Sequence, residues 1–461
     1  MDPKADIPAT VHGAFAAAAR RWPDRPLFCV TPGTAEAYGI ASREITYRSA
    51  QRDVATLHDR YRQAGLRPGH RVQVLLENRP AFFLHWLALN ALGASIVPVN
   101  PYLRATELAY LAVDAAPALA ISTPDRAGDL AQAAGHAVPV TGPDDPFPQI
   151  DTPPVFDPVS GEAALLYTSG TTGAPKGCVL GQDYFLEAGR WYATVGGACA
   201  LTETGERMLT PLPVFHMNAM AYSFMAMVTV GGCLIALDRF HPRRWWAELA
   251  ESRATCFHYL GVMPTILVGL PEGPEDRAHT ARFGFGAGID PSLQAAFEQR
   301  FGAVTVEAWA MTETGAGAVT AANQEPRPVG QASIGRPAND LDVRLVDANE
   351  TDVPPGAPGA LLVRRKGANP RRGFFLAYWN QPEATAEAWR GGWFHTGDIV
   401  RQLPSGDLVF VDRRKNVIRR SGENIAAVEV ESMLLRHPAI SAAGVAAVPD
   451  PVRGDEVCAC L

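Results

Sequence analysis

The segment Tyr167-Thr168-Ser169-Gly170-Thr171-Thr172-Gly173-Ala174-Pro175-Lys176-Gly177 concentrates more chemistry than any other stretch of the chain. Four hydroxyl side chains fall within residues 168–172, interleaved with glycine and followed by a lysine. Backbone N–H groups, hydroxyls and one point cation make a cradle for phosphate oxygens. The apolar run Ala163 to Leu166 precedes it, so the loop leaves the end of a strand. A plain surface turn has a similar composition, and lysine usage decides between the two. Of 41 basic residues only four are lysine: Lys4, Lys176, Lys366 and Lys415. A chain that writes arginine almost everywhere, yet keeps lysine here, needs the compact ammonium. The Gly-x-x-x-x-Gly-Lys-Ser/Thr spacing of a P-loop is absent, as are the kinase motifs, which argues against a phosphotransferase.

Further blocks follow in order: Leu212-Pro213-Val214-Phe215-His216, Gly286-Ala287-Gly288, Trp309-Ala310-Met311-Thr312-Glu313 and His395-Thr396-Gly397-Asp398. The last is Asp412-Arg413-Arg414-Lys415-Asn416, running on to Gly422-Glu423-Asn424-Ile425. With the loop, they resemble the adenylate-forming superfamily, acyl-CoA synthetase type, in order and spacing from about Ala14 to the end. The texture is nearest crotonobetaine/carnitine-CoA ligases and medium-chain acyl-CoA ligases.

The resemblance implies ATP-dependent activation of a carboxylic acid to acyl-AMP with pyrophosphate release, then thioester formation with CoA. It places Thr168, Ser169, Gly170, Thr171, Thr172, Gly173 and Lys176 around the phosphates. Thr312 becomes an α-phosphate ligand and Glu313 the magnesium carboxylate, a role suited to a hard cation that takes few protein ligands. Gly286, Ala287 and Gly288 run along the adenine. Trp309, where the family more often has Tyr, stacks on it, with Ala310 and Met311 in the same block. Asp398 accepts the ribose hydroxyls with help from Arg413. His216 lines the acyl and thioester end of the pocket, or is a satisfied core histidine. Lys415 is the hinge, and Gly422 lines the pantetheine channel, where a side chain would collide with the ligand. A carboxylate is already a nucleophile at neutral pH, so the reaction needs positioning and electrostatics rather than a general base. The cluster Arg364-Arg365-Lys366 with Arg371-Arg372 is either a CoA-phosphate site or a solvated loop.

Two other readings stand beside this one. An adenylating enzyme could load a carrier protein, although no carrier domain is seen here. A nucleotide-binding protein without turnover would keep the fold alone. The chain ends at Val457-Cys458-Ala459-Cys460-Leu461 with no lysine after Lys415, where the family's C-terminal domain continues to a lysine that contacts the carboxylate and α-phosphate. The expectation is therefore slow adenylate formation, with conversion of a supplied acyl-adenylate retained.

The elements that must hold these residues follow from glycine punctuation. Phe82 to Leu92 reads as a helix that Gly93 ends, and Ala94 to Val99 as a strand; Ala221 to Val230, Gly231-Gly232 and Cys233 to Leu237 repeat the pattern. Glycine stops a helix because it enters the left-handed conformation cheaply. Glu107 to Val113 with Ala118 to Ser122, and Trp245 to Ser252 with Thr255 to Leu260, continue it. Alternating helix and apolar strand predicts an α/β fold, a largely parallel sheet covered on both faces. Beyond about Gly330 short strands (Leu341 to Val346, Ala360 to Arg364, Asp407 to Val411) predict a β-rich subdomain. A helix near Val428 to His437 and a strand near Ala442 to Val448 open a small, truncated α+β domain. The division is 1–412, an AMP-binding domain, and 413–461.

Composition narrows the partners. A net charge of −7 argues against nucleic acid. The 7 cysteines lack zinc or redox spacing and fit reduced thiols in a cytoplasm, and no secretory signal is visible. The charge-free stretches Ala81 to Leu103 and Thr210 to Leu237 are interrupted by His, Asn and Gly, so each reads as buried helix plus strand, not a membrane span. The expected partners are a small carboxylic acid and CoA, with self-association into a homo-oligomer left open.

Overall fold

The computed structural model describes residues 8–168, 175–413, 417–420 and 423–435, and of the remainder residues 437, 439, 440, 442–450 and 454–461. The charge-free stretches resolve as their glycines predict. Pro80–Leu92 is a helix with proline in its first turn, closed by Gly93 at φ 76°. Every side chain from Phe82 to Asn90 is buried, as befits a helix that is apolar all round, and the buried strand Ser95–Pro98 follows. Asn218–Phe224 is a π-helical turn that runs into the α-helix Met225–Val230. Gly231 ends it at φ 65°, where a Cβ would lie 2.3 Å from the Trp22 ring; Cys233–Ala236 is the strand beyond. Among the described residues no helix is long and apolar enough to cross a membrane.

The helix–strand alternation builds two sheets where it predicted a largely parallel one; periodicity reports each unit, not the sheet it joins. The eight-stranded sheet runs Thr320–Ala321, Val304–Trp309, Phe283–Ala287, Cys256–Leu260, Arg207–Thr210, Cys233–Ala236, Pro26–Val30, Arg43–Thr46. Its inner strands are parallel and both edge strands antiparallel. The seven-stranded sheet runs Ala377–Tyr378, Lys176–Gly181, Glu162–Thr168, Ser95–Pro98, Arg71–Leu75, Leu119–Ser122, Val140–Thr141. There the last five strands are parallel, and the first two join antiparallel.

One continuous apolar core joins the two sheets through the helices Val11–Arg21, Tyr47–Gln63, Pro80–Leu92 and Gln182–Thr194 and the segment 218–230. The opposite face of the eight-stranded sheet is closed by a second cluster around Trp245, Trp246, Phe257 and Phe301. Leu108, Leu111 and Leu130 close the seven-stranded one. Helices thus cover both faces, as predicted. Inside the seven-stranded sheet, Arg71 and Glu162 form a fully buried pair with two hydrogen bonds of 2.8 Å. The Arg71 guanidinium also lies 3.6 Å from the centre of the Trp379 ring.

The β-rich subdomain is a five-stranded antiparallel sheet: Ser333–Gly335, Leu408–Arg413, Phe394–Gln402, Gly359–Arg365, Leu341–Val346. After it, Glu423–Ala426, Val417–Arg420, Gly454–Cys460 and Gly444–Asp450 form a four-stranded antiparallel sheet with the helix Ala427–Leu434.

Candidate active site

The ends of parallel strands gather the chemistry. Ala287 and Trp309 are the last residues of adjacent parallel strands in the eight-stranded sheet, so both open at its carboxyl edge, where ligands bind in α/β sheets. The turn Gly286-Ala287-Gly288 is fixed from below by Glu307. Its carboxylate accepts the Gly288 N–H at 2.6 Å, the Ile289 N–H at 3.3 Å and the Tyr259 hydroxyl. Burial pushes this carboxyl above the ordinary range, against those hydrogen bonds. Gly286 faces Tyr259 so closely that a Cβ would meet its carbonyl oxygen at 2.3 Å, and Gly288 has φ 83°. The glycines are required by backbone contact at one position and by conformation at the other.

Trp309 and Asp398 come together across two sheets. The Trp309 Nε1–H donates to Asp398 Oδ2 at 2.8 Å. Asp398 sits in the strand Phe394–Gln402 directly opposite Arg413, whose Nε is 3.5 Å from Oδ1. That Oδ1 is buried and has no hydrogen-bond partner among the described residues. Burial raises the Asp398 carboxyl above its usual value, and the carboxylates of Glu313 and Asp412 add to this. The Trp309 hydrogen bond and the Arg413 charge oppose it. A buried acceptor left half-satisfied costs stability unless something donates to it, and a ribose hydroxyl is a donor of the right kind.

A second group lies close enough for its charge to reach Asp398. Glu313 is buried, accepts the Tyr378 hydroxyl at 2.9 Å, and holds the Phe375 N–H on its backbone carbonyl at 2.9 Å. Lys176 Nζ stands 4.8 Å from the centre of the Tyr378 ring. Burial, then the Glu313 charge, pushes the Tyr378 hydroxyl far up, so it stays a donor. Lys176 pairs with Thr168 between two antiparallel strands. The strand exit predicted before the phosphate-cradle segment is Glu162–Thr168. Ser169, Gly170, Thr171, Thr172 and Gly173 lie outside the described residues, as do Lys415 and Gly422.

Thr312 is half-buried in the turn before Glu313, and Ala310 and Met311 pack at the edge of the main core. His216 stands apart. It keeps solvent access, yet the protein around it lowers its imidazole below the ordinary histidine range. Among the described residues its contacts are the Pro213 carbonyl, the Met220 N–H and the Phe215 ring. The arginine-rich cluster is partly paired and partly solvated: Arg365 is buried, while Lys366, Arg371 and Arg372 are exposed. Arg364 bonds Asp342 at 3.2 Å, Arg365 bonds Asp340 and the Ala316 carbonyl, Lys366 bonds the Asn339 carbonyl, and Arg372 approaches Asp340 at 3.5 Å. Two carboxylates, Asp340 and Asp342, stand among these five cations, and Arg371 lies over the Trp389 ring instead.

The sequence reading missed Tyr378, Glu307 and Tyr259. Tyr378 lies 65 residues after Glu313 and carries no spacing signal. Glu307 does have one, as a lone acid in the otherwise uncharged strand Val304–Trp309.

The chain belongs to the AMP-binding enzyme family, whose profile matches residues 15–378. Among its relatives, crotonobetaine/carnitine–CoA ligase of Citrobacter koseri is 30% identical over 437 residues, covering 90% of this chain and 83% of that protein. Feruloyl-CoA synthase of an Amycolatopsis species is 33% identical over 451 residues, covering 94% and 86%. Among solved structures, O-succinylbenzoate coenzyme A synthetase of Bacillus subtilis, in complex with ATP and magnesium ion, matches the fold with a TM-score of 0.81. It is 22% identical and covers 97% of this chain and 88% of that one. The resemblance read from the motifs, to acyl-CoA synthetases and crotonobetaine/carnitine-CoA ligases among them, therefore holds.

Proposed function

We propose that the chain activates a carboxylic acid with ATP as an acyl-adenylate, releases pyrophosphate, and passes the acyl group to the thiol of CoA. The observation that carries this reading is a pair of clusters whose carboxylates, Asp398 and Glu313, are near enough to feel each other's charge. Trp309–Asp398–Arg413 leaves a buried carboxylate oxygen without a hydrogen bond among the described residues, and Glu313–Tyr378–Lys176 groups one carboxylate and one ammonium around a tyrosine.

In this reading Asp398 Oδ1 accepts a ribose hydroxyl, and Trp309 is held in place by its own bond to Oδ2. Glu313 has one oxygen committed to Tyr378, and its other oxygen suits a hard cation. A magnesium ion held there would neutralise phosphate charge. Lys176 brings positive charge to the phosphates, with Thr312 and the hydroxyls of 168–172 as donors. The acid's own carboxylate attacks the α-phosphorus, the bond to pyrophosphate breaks, and the thiol later displaces AMP. The protein's share is orientation and electrostatic stabilisation rather than proton transfer. The division into 1–412 and 413–461 fits the change of sheet between Arg413 and Val417.

The test is acid-dependent exchange of labelled pyrophosphate into ATP across a panel of carboxylic acids. Exchange that needs both an acid and Glu313 is expected. Exchange without any acid, or ADP as the product, would overturn the reading.

A further inference from the structure

The π-helical turn Asn218–Phe224 sits over a buried polar relay that the proposed reaction does not use. His258 is fully buried in the strand Cys256–Leu260. Its Nε2 is 3.1 Å from the Tyr192 hydroxyl, and its Nδ1 is 2.8 Å from Asn218 Oδ1 and 2.9 Å from the Ser223 hydroxyl. One tautomer satisfies all these groups. Tyr192 O–H donates to Nε2, Nδ1–H donates to Asn218 Oδ1, and the Ser223 hydroxyl turns to the Asn218 carbonyl at 3.4 Å. In the other tautomer Tyr192 accepts, and its buried proton has no acceptor among the described residues. Burial lowers the His258 imidazole to about 3, so the ring stays neutral.

This tautomer fixes the Asn218 carboxamide. Its oxygen is turned into the core, so its NH2 group is presented outward, with no protein acceptor among the described residues. Asn218 is half-buried, two residues from solvent-accessible His216. His258 pairs with Phe285, the residue before the Gly286-Ala287-Gly288 turn. Leu260, the last residue of the His258 strand, is 50% exposed, and Val262, which opens the helix beyond it, is 63% exposed. The outward amide therefore stands on the segment just after His216, and the histidine that holds it lies in the strand paired with the one leading to the Gly286-Ala287-Gly288 turn.

We infer that Asn218, set by Tyr192 and His258, is a specificity residue: its amide donates a hydrogen bond to an oxygen on the chain of the acid being activated. The substrate class is a carboxylic acid bearing an acceptor oxygen (carbonyl, ether, hydroxyl or a second acidic group) rather than a plain alkanoate. This rests on the acid-activating reading above. A site that donates to a substrate oxygen discriminates against the analogue lacking it, because the donor is then left unpaired.

The experiment measures kcat/KM for AMP formation with matched acids that differ in one chain oxygen, such as hexanoate and 5-oxohexanoate or butanoate and 3-hydroxybutanoate. Wild type, Asn218→Leu and Tyr192→Phe are compared, and 15N NMR of the wild type reads the His258 tautomer. The expected result is a wild-type preference of about tenfold or more for an oxygenated member, erased in Asn218→Leu with the alkanoate rate kept within about threefold. Tyr192→Phe weakens the preference in the same direction, and His258 carries its proton on Nδ1. Equal rates for every pair in wild type, an Asn218→Leu loss shared equally by both members, or a proton on Nε2 would overturn the inference while leaving acid activation standing. No AMP with any acid would overturn the acid-activating reading and this inference with it.

Discussion

Glu162 and Asp398 are both buried strand carboxylates, and the molecule treats them in opposite ways. In the seven-stranded sheet, both oxygens of Glu162 are taken by the Arg71 guanidinium at 2.8 Å. In the five-stranded sheet, Asp398 spends one oxygen on Trp309 and keeps the other buried without a hydrogen bond among the described residues, with Arg413 at 3.5 Å and half exposed. A saturated pair holds strands in place and has nothing to offer a ligand. An unsaturated one stores a need that binding can meet. What sets the two acids apart is the unspent acceptor, not burial or charge.

The sharpest way to break the comparison is to unbalance the saturated pair. Arg71→Met should destabilise the protein by about 3–5 kcal/mol, since Glu162 is then a buried charge without a partner. Urea unfolding reads this, and a midpoint unchanged from wild type would remove Glu162 from the structural class. Glu313→Gln is next. It keeps the shape and the Tyr378 contact but removes the charge, and should cost about 100-fold or more in AMP formation with thermal unfolding little changed. Asp398→Asn should act in two directions at once. ATP affinity falls by about tenfold, while the ligand-free protein becomes slightly more stable, because a carboxyl raised by burial is a net liability when ionised at neutral pH. Calorimetric binding beside a melting curve separates the two effects.

The smallest effect is the pH dependence. The Asp398 carboxyl is raised, chiefly by burial, so on acidification it takes up its proton sooner than an ordinary aspartate and loses acceptor strength. Nucleotide affinity should weaken from the upper end of the carboxylate range downward. The sign for stability is opposite: the ionised group costs the fold least once it is protonated, so this site favours folding as pH falls through its raised value. In Asp398→Asn both dependences should flatten.

Much of this was legible before any coordinates. The Gly93 and Gly231 stops, the strand before the phosphate segment and the strand Leu341–Val346 followed from local rules, because each depends on residues a few positions apart. Asp398 and Arg413 were named from their blocks. What the sequence hid was long-range geometry. That Trp309 donates to Asp398 joins residues 89 apart, and that Tyr378 closes on Glu313 requires a strand from the edge of another sheet. The number of sheets was hidden for the same reason, since a helix–strand unit carries no mark of its neighbours. The arginine cluster showed its charge in the sequence, but not that Asp342 and Asp340 lie beside Arg364 and Arg365, 22 and 25 residues away.

The most direct test of acid activation is to incubate the protein with ATP, magnesium, CoA and a panel of carboxylic acids, and to follow AMP and acyl-CoA by mass spectrometry. The account predicts AMP and one or a few acyl-CoA thioesters accumulating in equal amounts, both lost in Glu313→Gln. ATP binding with no AMP from any acid, or ADP in its place, would contradict it.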